Sequence, residues 1–307
     1  MVVADPVITR RADGLLTASV ATPGALIRYT LDGSDPSKSA GVWLEPVRVP
    51  SGYTLKARAF TADATSQSEL VASTGDVGGS KPPSTLVPVT QNRDWRTYDW
   101  VERHAACVAL MRERRPEIVM LGDSITHFWG GEPISTRRTG ADVWDRLFAG
   151  RRVVNLGYGW DRTENVLWRL AHGEFDGVTP RLVVLMIGTN NMQINSTDEI
   201  AAGVEAICAE IRSRSAGTSI LLLGIFPRGA KPDATRAKVS AVNERLATFE
   251  GRHGVTYLDL GARFLEADGT ISKEIMYDYL HPTAKGYAIW AEAMEPTMRK
   301  LLGEPGR

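Results

Sequence analysis

The chain has 307 residues, 43% of them apolar and 23% charged, with 36 basic and 36 acidic side chains. That length suits one large or two medium domains with an ample core, and the zero net charge argues against a nucleic-acid or anionic-membrane surface. No run approaches the roughly 18 apolar residues that span a bilayer, and the N-terminus MVVADPVITR carries no charged and then apolar leader, so no signal peptide is expected within it.

Residues 6 to about 74 read as β. IRYTL (27–31) and YTLKARAF (53–60) partly alternate apolar with polar residues, and turn-forming TPG, DGSDP and SGY punctuate them. Short strands with close turns predict a small all-β sandwich over 1–74. GDVGGSKPPSTLVPVTQN (75–92) is dense in Gly, Ser and Pro and reads as a linker.

From 93 to 307 the pattern changes. DWVERHAACVALMRERR (99–115) places Val101, Ala105, Val108 and Met111 at helical spacing, and Pro116 ends it. Five apolar runs follow: IVML (118–121), RVVNL (152–156), LVVLMI (182–187), SILLLGIF (219–226) and VTYLDL (255–260). Helical stretches separate them, among them TENVLWRL, DEIAAGVEAICAEIRSR and TRAKVSAVNERLATFE. A last helix after His281 presents Tyr287, Trp290, Met294 and Leu301 on one face, with Pro296 expected to bend it. Near-continuous apolar strands alternating with helices predict an α/β domain whose parallel sheet is covered on both faces. Cys107 and Cys208 sit in apolar-periodic helices and read as buried free thiols; no CxxC, HExxH or Cys/His cluster signals a metal.

Ligands of such sheets bind at the carboxyl ends of the strands. There the chain places Ser124 in GDSIT, a glycine turn in NLGYGWDRT (155–163), Asn190 in GTNN (188–191), and Asp278 with His281 in YDYLHPTAKGY (277–287). That set suits acyl transfer. A serine hydroxyl needs a base to take its proton, a histidine near neutral pKa is the natural base, and a carboxylate orients it. The oxyanion is expected on the N–H groups of Ser124 and Gly157 and the Asn190 amide. His281 is the expected base: His104 precedes the sheet, His172 ends a helix, His253 turns into a strand at the opposite edge, and His127 suits a pocket wall. The residue at the last fingerprint position after the glycine turn is Arg162, which disfavours dinucleotide binding.

These segments resemble the SGNH/GDSL hydrolase family: Gly122-Asp123-Ser124, Asn155-Leu156-Gly157, Gly188-Thr189-Asn190 and Asp278-Tyr279-Leu280-His281 occur in family order. The resemblance implies a flavodoxin-like three-layer α/β/α domain and cofactor-free, metal-free ester hydrolysis through an acyl-serine, with Ser124, Asp278 and His281 catalytic. NLGYGWDRTENVLWRL and GTNN are similar to the branch containing the platelet-activating-factor acetylhydrolase catalytic subunits, which implies a short acyl group, acetyl above all. Asp123, His127, Trp129, Tyr158, Trp160 and Asn191 are expected around the substrate pocket. The N-terminal region resembles the β-sandwich module of chitobiase and β-hexosaminidase, which implies a carbohydrate ester and a secreted or periplasmic enzyme. A lipid acetylhydrolase, a thioesterase, an acyltransferase and a carbohydrate-binding protein with vestigial chemistry are the alternative readings; the oligomeric state is not legible.

Overall fold

The structure, a computed structural model, describes residues 2–92 and 97–305. It divides into two compact units, Met1–Val101 and Glu102–Arg307. The expected domain start at residue 93 lies outside the described residues.

In the first unit, β1 (Val7–Arg10) pairs antiparallel with β2 (Leu16–Ser19). A second antiparallel sheet has the order β3 (Leu26–Thr30), β4 (Thr54–Phe60), β5 (Val71–Thr74). Strand β4 shows why: Leu55, Ala57 and Ala59 alternate inward with the two-residue period of a strand, and Thr54, Lys56 and Arg58 point away. Leu16, Ile27, Tyr29 and Leu31 complete this core. The segment 75–92, expected as a linker, is instead packed. Val87 and Val89 join the core, the Tyr53 hydroxyl donates to the Pro82 carbonyl (3.0 Å), and Gly41 N–H donates to Thr90 Oγ1 (3.1 Å). Its prolines and glycines masked the short apolar stretch TLVPV, which has surface to bury.

The second unit is the expected three-layer α/β/α domain. Each of the five apolar runs becomes a strand: β6 (Ile118–Gly122), β7 (Val153–Gly157), β8 (Leu182–Met186), β9 (Ser219–Leu223) and β10 (Val255–Leu258). All pair in parallel in the order β10-β9-β8-β6-β7. This is the flavodoxin-like order, whose switch point lies where β6 separates β7 from β8. Among the described residues, seven helices accompany the sheet: α1 (Trp100–Arg114), α2 (Ser124–His127), α3 (Ala141–Leu147), α4 (Thr163–Arg169), α5 (Thr197–Arg214), α6 (Ala234–Ala247) and α7 (Ala284–Leu301). Met120, Val184, Met186 and Leu221 share one core with α3 and α7, where Tyr287, Trp290, Met294 and Met298 are buried. α5 and α6 pack on each other, with Ile200, Val204, Ile207 and Ile211 of α5 buried. Cys107 and Cys208 are free and buried, as the periodicity predicts. Among the described residues, no helix is long and apolar enough to cross a membrane.

Candidate active site

Ser124 leaves β6 at the switch point. The turn is tight: a Cβ on Gly122 would stand 2.5 Å from the Met186 carbonyl oxygen of the neighbouring strand. Asp123, not Ser124, is the N-cap of α2; its Oδ1 accepts the Ile125 N–H at 2.9 Å. Burial raises the Asp123 carboxyl to about 7, against that hydrogen bond. The cap leaves the Ser124 hydroxyl uncommitted to the helix end, and its Oγ lies 2.8 Å from His281 Nε2.

Asp278 and His281 come from the loop before α7. Asp278 Oδ1 accepts the N–H groups of Leu280 (3.1 Å) and His281 (2.7 Å), and its Oδ2 lies 2.6 Å from His281 Nδ1. The intervening Tyr279 takes a left-handed φ of 62° to close this turn. A carboxylate on Nδ1 places the proton there, so Nε2 accepts from the Ser124 hydroxyl. The C-terminal end of the loop is fastened twice. Thr283 caps α7 by accepting the Gly286 N–H, and the buried Tyr287 hydroxyl donates to the Ile125 carbonyl at 2.7 Å, tying α7 to α2. Burial holds His281 below the usual imidazole value; the Asp278 bond and charge oppose this, and the Arg137 and Arg228 charges add to it. Asp278 is itself lowered: its burial is outweighed by the bonds from His281. Three further side chains lie around the imidazole: Phe128, whose bulk close to Ser124 in sequence suits a pocket wall, and Tyr277 and Arg137, which the sequence pattern does not assign to the site. Tyr277 stacks on it at 5.8 Å, Phe128 lies at 5.4 Å, and Arg137 donates to the Tyr277 hydroxyl at 2.8 Å.

Asn190, in the 3-10 turn Thr189–Asn191 after β8, donates through Nδ2 to the Asp161 carbonyl at 2.9 Å, which leaves one amide hydrogen for a ligand. Gly157 does not fit the donor role expected of it. Its N–H donates to Asn155 Oδ1 at 2.8 Å, and its Cα lies so close to α2 that a Cβ would reach 2.2 Å from His127 N. Asn155 in turn donates to the Thr126 and Gly130 carbonyls (2.9 and 2.7 Å), so the pair holds β7 against α2 rather than facing a ligand.

Beneath this loop lies an ionic network absent from the sequence reading. Arg169 donates to Asp161 Oδ2 (2.9 Å) and Glu174 Oε2 (2.5 Å), and all three side chains are fully buried. Glu174 also accepts the Tyr158 hydroxyl at 2.7 Å, and the Arg169 guanidinium sits 3.8 Å from the Tyr158 ring centre. Burial would raise Glu174, yet Arg169 and His104 bring it down to about 2. Arg103 donates to the Gly157 and Asn155 carbonyls at 2.9 and 3.1 Å. The loop 155–161 is therefore fixed by charge as well as packing.

Most residues expected to line a pocket are buried in other roles. Trp129 has no exposure and packs among Trp144, Phe148, Tyr287 and Trp290. Tyr158 belongs to the ionic network. His127, 3% exposed, accepts the Gly159 N–H on Nδ1, and burial keeps it well below its usual pKa and neutral. Asn191 bridges Glu164 and Asn195 (3.0 Å each) and accepts the Thr163 N–H, so it closes the start of α4. Asp123 is the cap described above. Trp160 alone of the set is solvent-accessible, at 46%, and it adopts φ 70° beside Asp161. The physical reason is common to all: proximity in sequence to Ser124 or Gly157 says which loop a side chain is on, not which side of the sheet edge it faces.

A parallel α/β/α sheet with a Ser–His–Asp relay at its switch point defines a class of hydrolase, and comparison with known proteins gives the family. Residues 120–289 match the model of the GDSL-like lipase/acylhydrolase family, and residues 16–74 match one described as Fn3 associated. Subunit alpha2 of platelet-activating factor acetylhydrolase IB from Rattus norvegicus is 34% identical over 206 residues, 67% of this chain and 86% of that one. Subunit alpha1 from Homo sapiens is 33% identical over 229 residues, 74% and 94% of the two chains. Among solved structures, an acetylxylan esterase from Geobacillus stearothermophilus superposes with a TM-score of 0.51 at 23% identity, covering 62% of this chain and 97% of that one. A GDSL-like lipase from Bacteroides thetaiotaomicron gives 0.51 at 16%, with 65% and 97% covered. The chain belongs to the GDSL-like lipase/acylhydrolase family. It is a carboxylic ester hydrolase.

Proposed function

We propose that the chain is a serine acetylesterase acting on O-acetylated carbohydrate. Ser124 Oγ attacks the ester carbonyl while His281 Nε2 takes its proton, and Asp278 orients the imidazole and stabilises the imidazolium. Collapse of the tetrahedral adduct expels the alcohol, protonated by His281, and leaves an acetyl-serine. Water, deprotonated by the same Nε2, then releases acetate. The oxyanion is held by the Ser124 N–H and the second hydrogen of Asn190 Nδ2. In place of Gly157 we assign the third donor to the Trp160 N–H, in the same loop, where a left-handed φ of 70° turns the chain one residue before Asp161, whose carbonyl accepts from Asn190. The observation that carries this reading is the relay of 2.8 Å from Ser124 to His281 and 2.6 Å from His281 to Asp278.

A small acyl group is supported by the curated relatives, whose names specify an acetylhydrolase. Carbohydrate is supported by the likeness of fold to the acetylxylan esterase and by the β-rich first unit, and it implies a secreted or periplasmic enzyme. The relatives at 33–34% identity favour a second reading, an acetylated glycerolipid. Hydrolysis of p-nitrophenyl acetate, butyrate and octanoate, with acetate release from acetylated xylo-oligosaccharides and from an acetylglycerolipid, tests both. Acetate-selective cleavage with release from the sugar supports the first reading; release from the lipid alone replaces it with the second, and preference for octanoate sinks both.

A further inference from the structure

We infer that the mouth of this site is an anion subsite that receives a carboxylate or phosphate carried by the alcohol portion of the ester. The inference rests on the esterase reading and narrows its substrate class.

Three arginines reach the site from three separate loops. Arg162, after β7, donates through Nε to the Asn190 carbonyl at 3.1 Å. Arg228, after β9, donates through Nη1 to the carbonyl and the Oγ1 of Thr189, both at 3.1 Å. Both therefore hang on the turn that presents the Asn190 amide. The Arg137 guanidinium lies 5.1 Å from the Phe128 ring and 5.6 Å from the Tyr277 ring, the two rings that flank His281. The His281 imidazole thus feels the charges of both Arg137 and Arg228.

Two of these cations have no close counter-charge. Among the described residues, no carboxylate comes within 4.0 Å of Arg137 or Arg228, and Arg162 has only Glu164, at 3.9 Å. The other acids at this sheet edge are engaged: Asp278 with His281, Asp161 with Arg169, and Asp123 buried as a helix cap. Elsewhere some arginines are paired with acids, as in Arg151–Glu304 and Arg214–Glu210, and others, such as Arg103 and Arg236, are saturated by several carbonyls. A guanidinium offers five N–H donors in a planar fork, and the bonds above use Nε of Arg162 and one Nη each of Arg228 and Arg137. Arg228 is moreover partly buried, where a cation with no close counter-charge is costly until an anion arrives. The arrangement offers bidentate recognition of a carboxylate or phosphate beside the scissile ester.

The test compares acetyl esters with and without an anionic group: methyl O-acetyl-glucuronoside against its neutral methyl ester, and acetylglycerol phosphate against acetylglycerol. Acetate release gives kcat/KM for each. We expect the charged member of one pair to be favoured by about tenfold or more, the scale of a charge-assisted hydrogen bond, with a ratio that falls as salt rises. Whichever pair shows it names the source of the anion. In Arg137→Gln and Arg228→Gln the ratio should collapse toward one; Arg137 is exposed, so its variant tests the idea even if Arg228→Gln folds poorly. Equal rates within both pairs, or no release from either anionic ester while p-nitrophenyl acetate is cleaved, overturns this inference alone. Loss of all ester hydrolysis overturns the reading beneath it.

Discussion

Asp161→Asn probes the buried network under the oxyanion loop. In the wild type, Asp161 and Glu174 balance Arg169 and the nearly buried Arg103. The amide keeps the volume and one acceptor for Arg169 Nε but removes a charge, leaving the buried set with one uncompensated cation. Breaking a buried pair by removing one partner costs about 3 to 5 kcal/mol, and the retained acceptor argues for about 3. For a unit of this size that lowers Tm by about 6 to 12 °C. The effect reaches chemistry because the backbone carbonyl of the same residue accepts from Asn190. Well below Tm, kcat for p-nitrophenyl acetate should fall by about tenfold or more, a fraction of the loss of a whole oxyanion donor. Thermal unfolding by circular dichroism with steady-state kinetics at 20 °C measures both. A Tm within about 1 °C of wild type with kcat within twofold would refute the argument, since it would mean the ionic network neither stabilises the loop nor positions it.

Other predictions follow from the same coordinates of charge and packing. His281 must be neutral to act as base and is held below its usual pKa, so kcat/KM should rise with pH to a plateau with a midpoint under 6.5. Arg137→Gln removes a charge that depresses it and should move that limb to higher pH; a wild-type midpoint above 7 would count against the assigned base. Gly157→Ala forces a Cβ against His127 backbone, so we expect about 1–3 kcal/mol of destabilisation in urea unfolding and at least tenfold lower activity. Trp129→Leu should cost about 3 kcal/mol as a core truncation while leaving the acyl-chain preference unchanged; a shifted preference with unchanged Tm would return Trp129 to the pocket.

Much of the second unit was legible because its information is local. Each apolar run 118–121, 152–156, 182–187, 219–226 and 255–260 contains a strand, buried almost throughout except at the edge strand β10, and alternation with helices leaves a parallel sheet as the packing solution. The edge rule for parallel sheets then put Ser124, Asn190, Asp278 and His281 together before any distance was known. What stayed hidden depends on direction and on long-range partners. The N–H of Gly157 turns to its own Asn155, and Trp129 and Tyr158 turn inward, none of which spacing encodes. The Arg169–Asp161–Glu174 core of the ionic network lies within residues 161 to 174, in a stretch that reads as an amphipathic helix; the available signal is an arginine inside the apolar run VLWRL, where a charge needs a partner. Arg137 meets Tyr277 across 140 positions, which no local pattern reports.

The central claim is that Ser124 is the nucleophile of an esterase. The most direct measurement treats wild type and Ser124→Ala with a fluorophosphonate, locates the adduct by peptide mass, and follows p-nitrophenyl acetate hydrolysis in parallel. The account predicts one adduct on Ser124 with complete loss of activity, and an alanine variant that is folded, unlabelled and inactive. A label on another serine, or hydrolysis persisting at wild-type rate in Ser124→Ala, would contradict it.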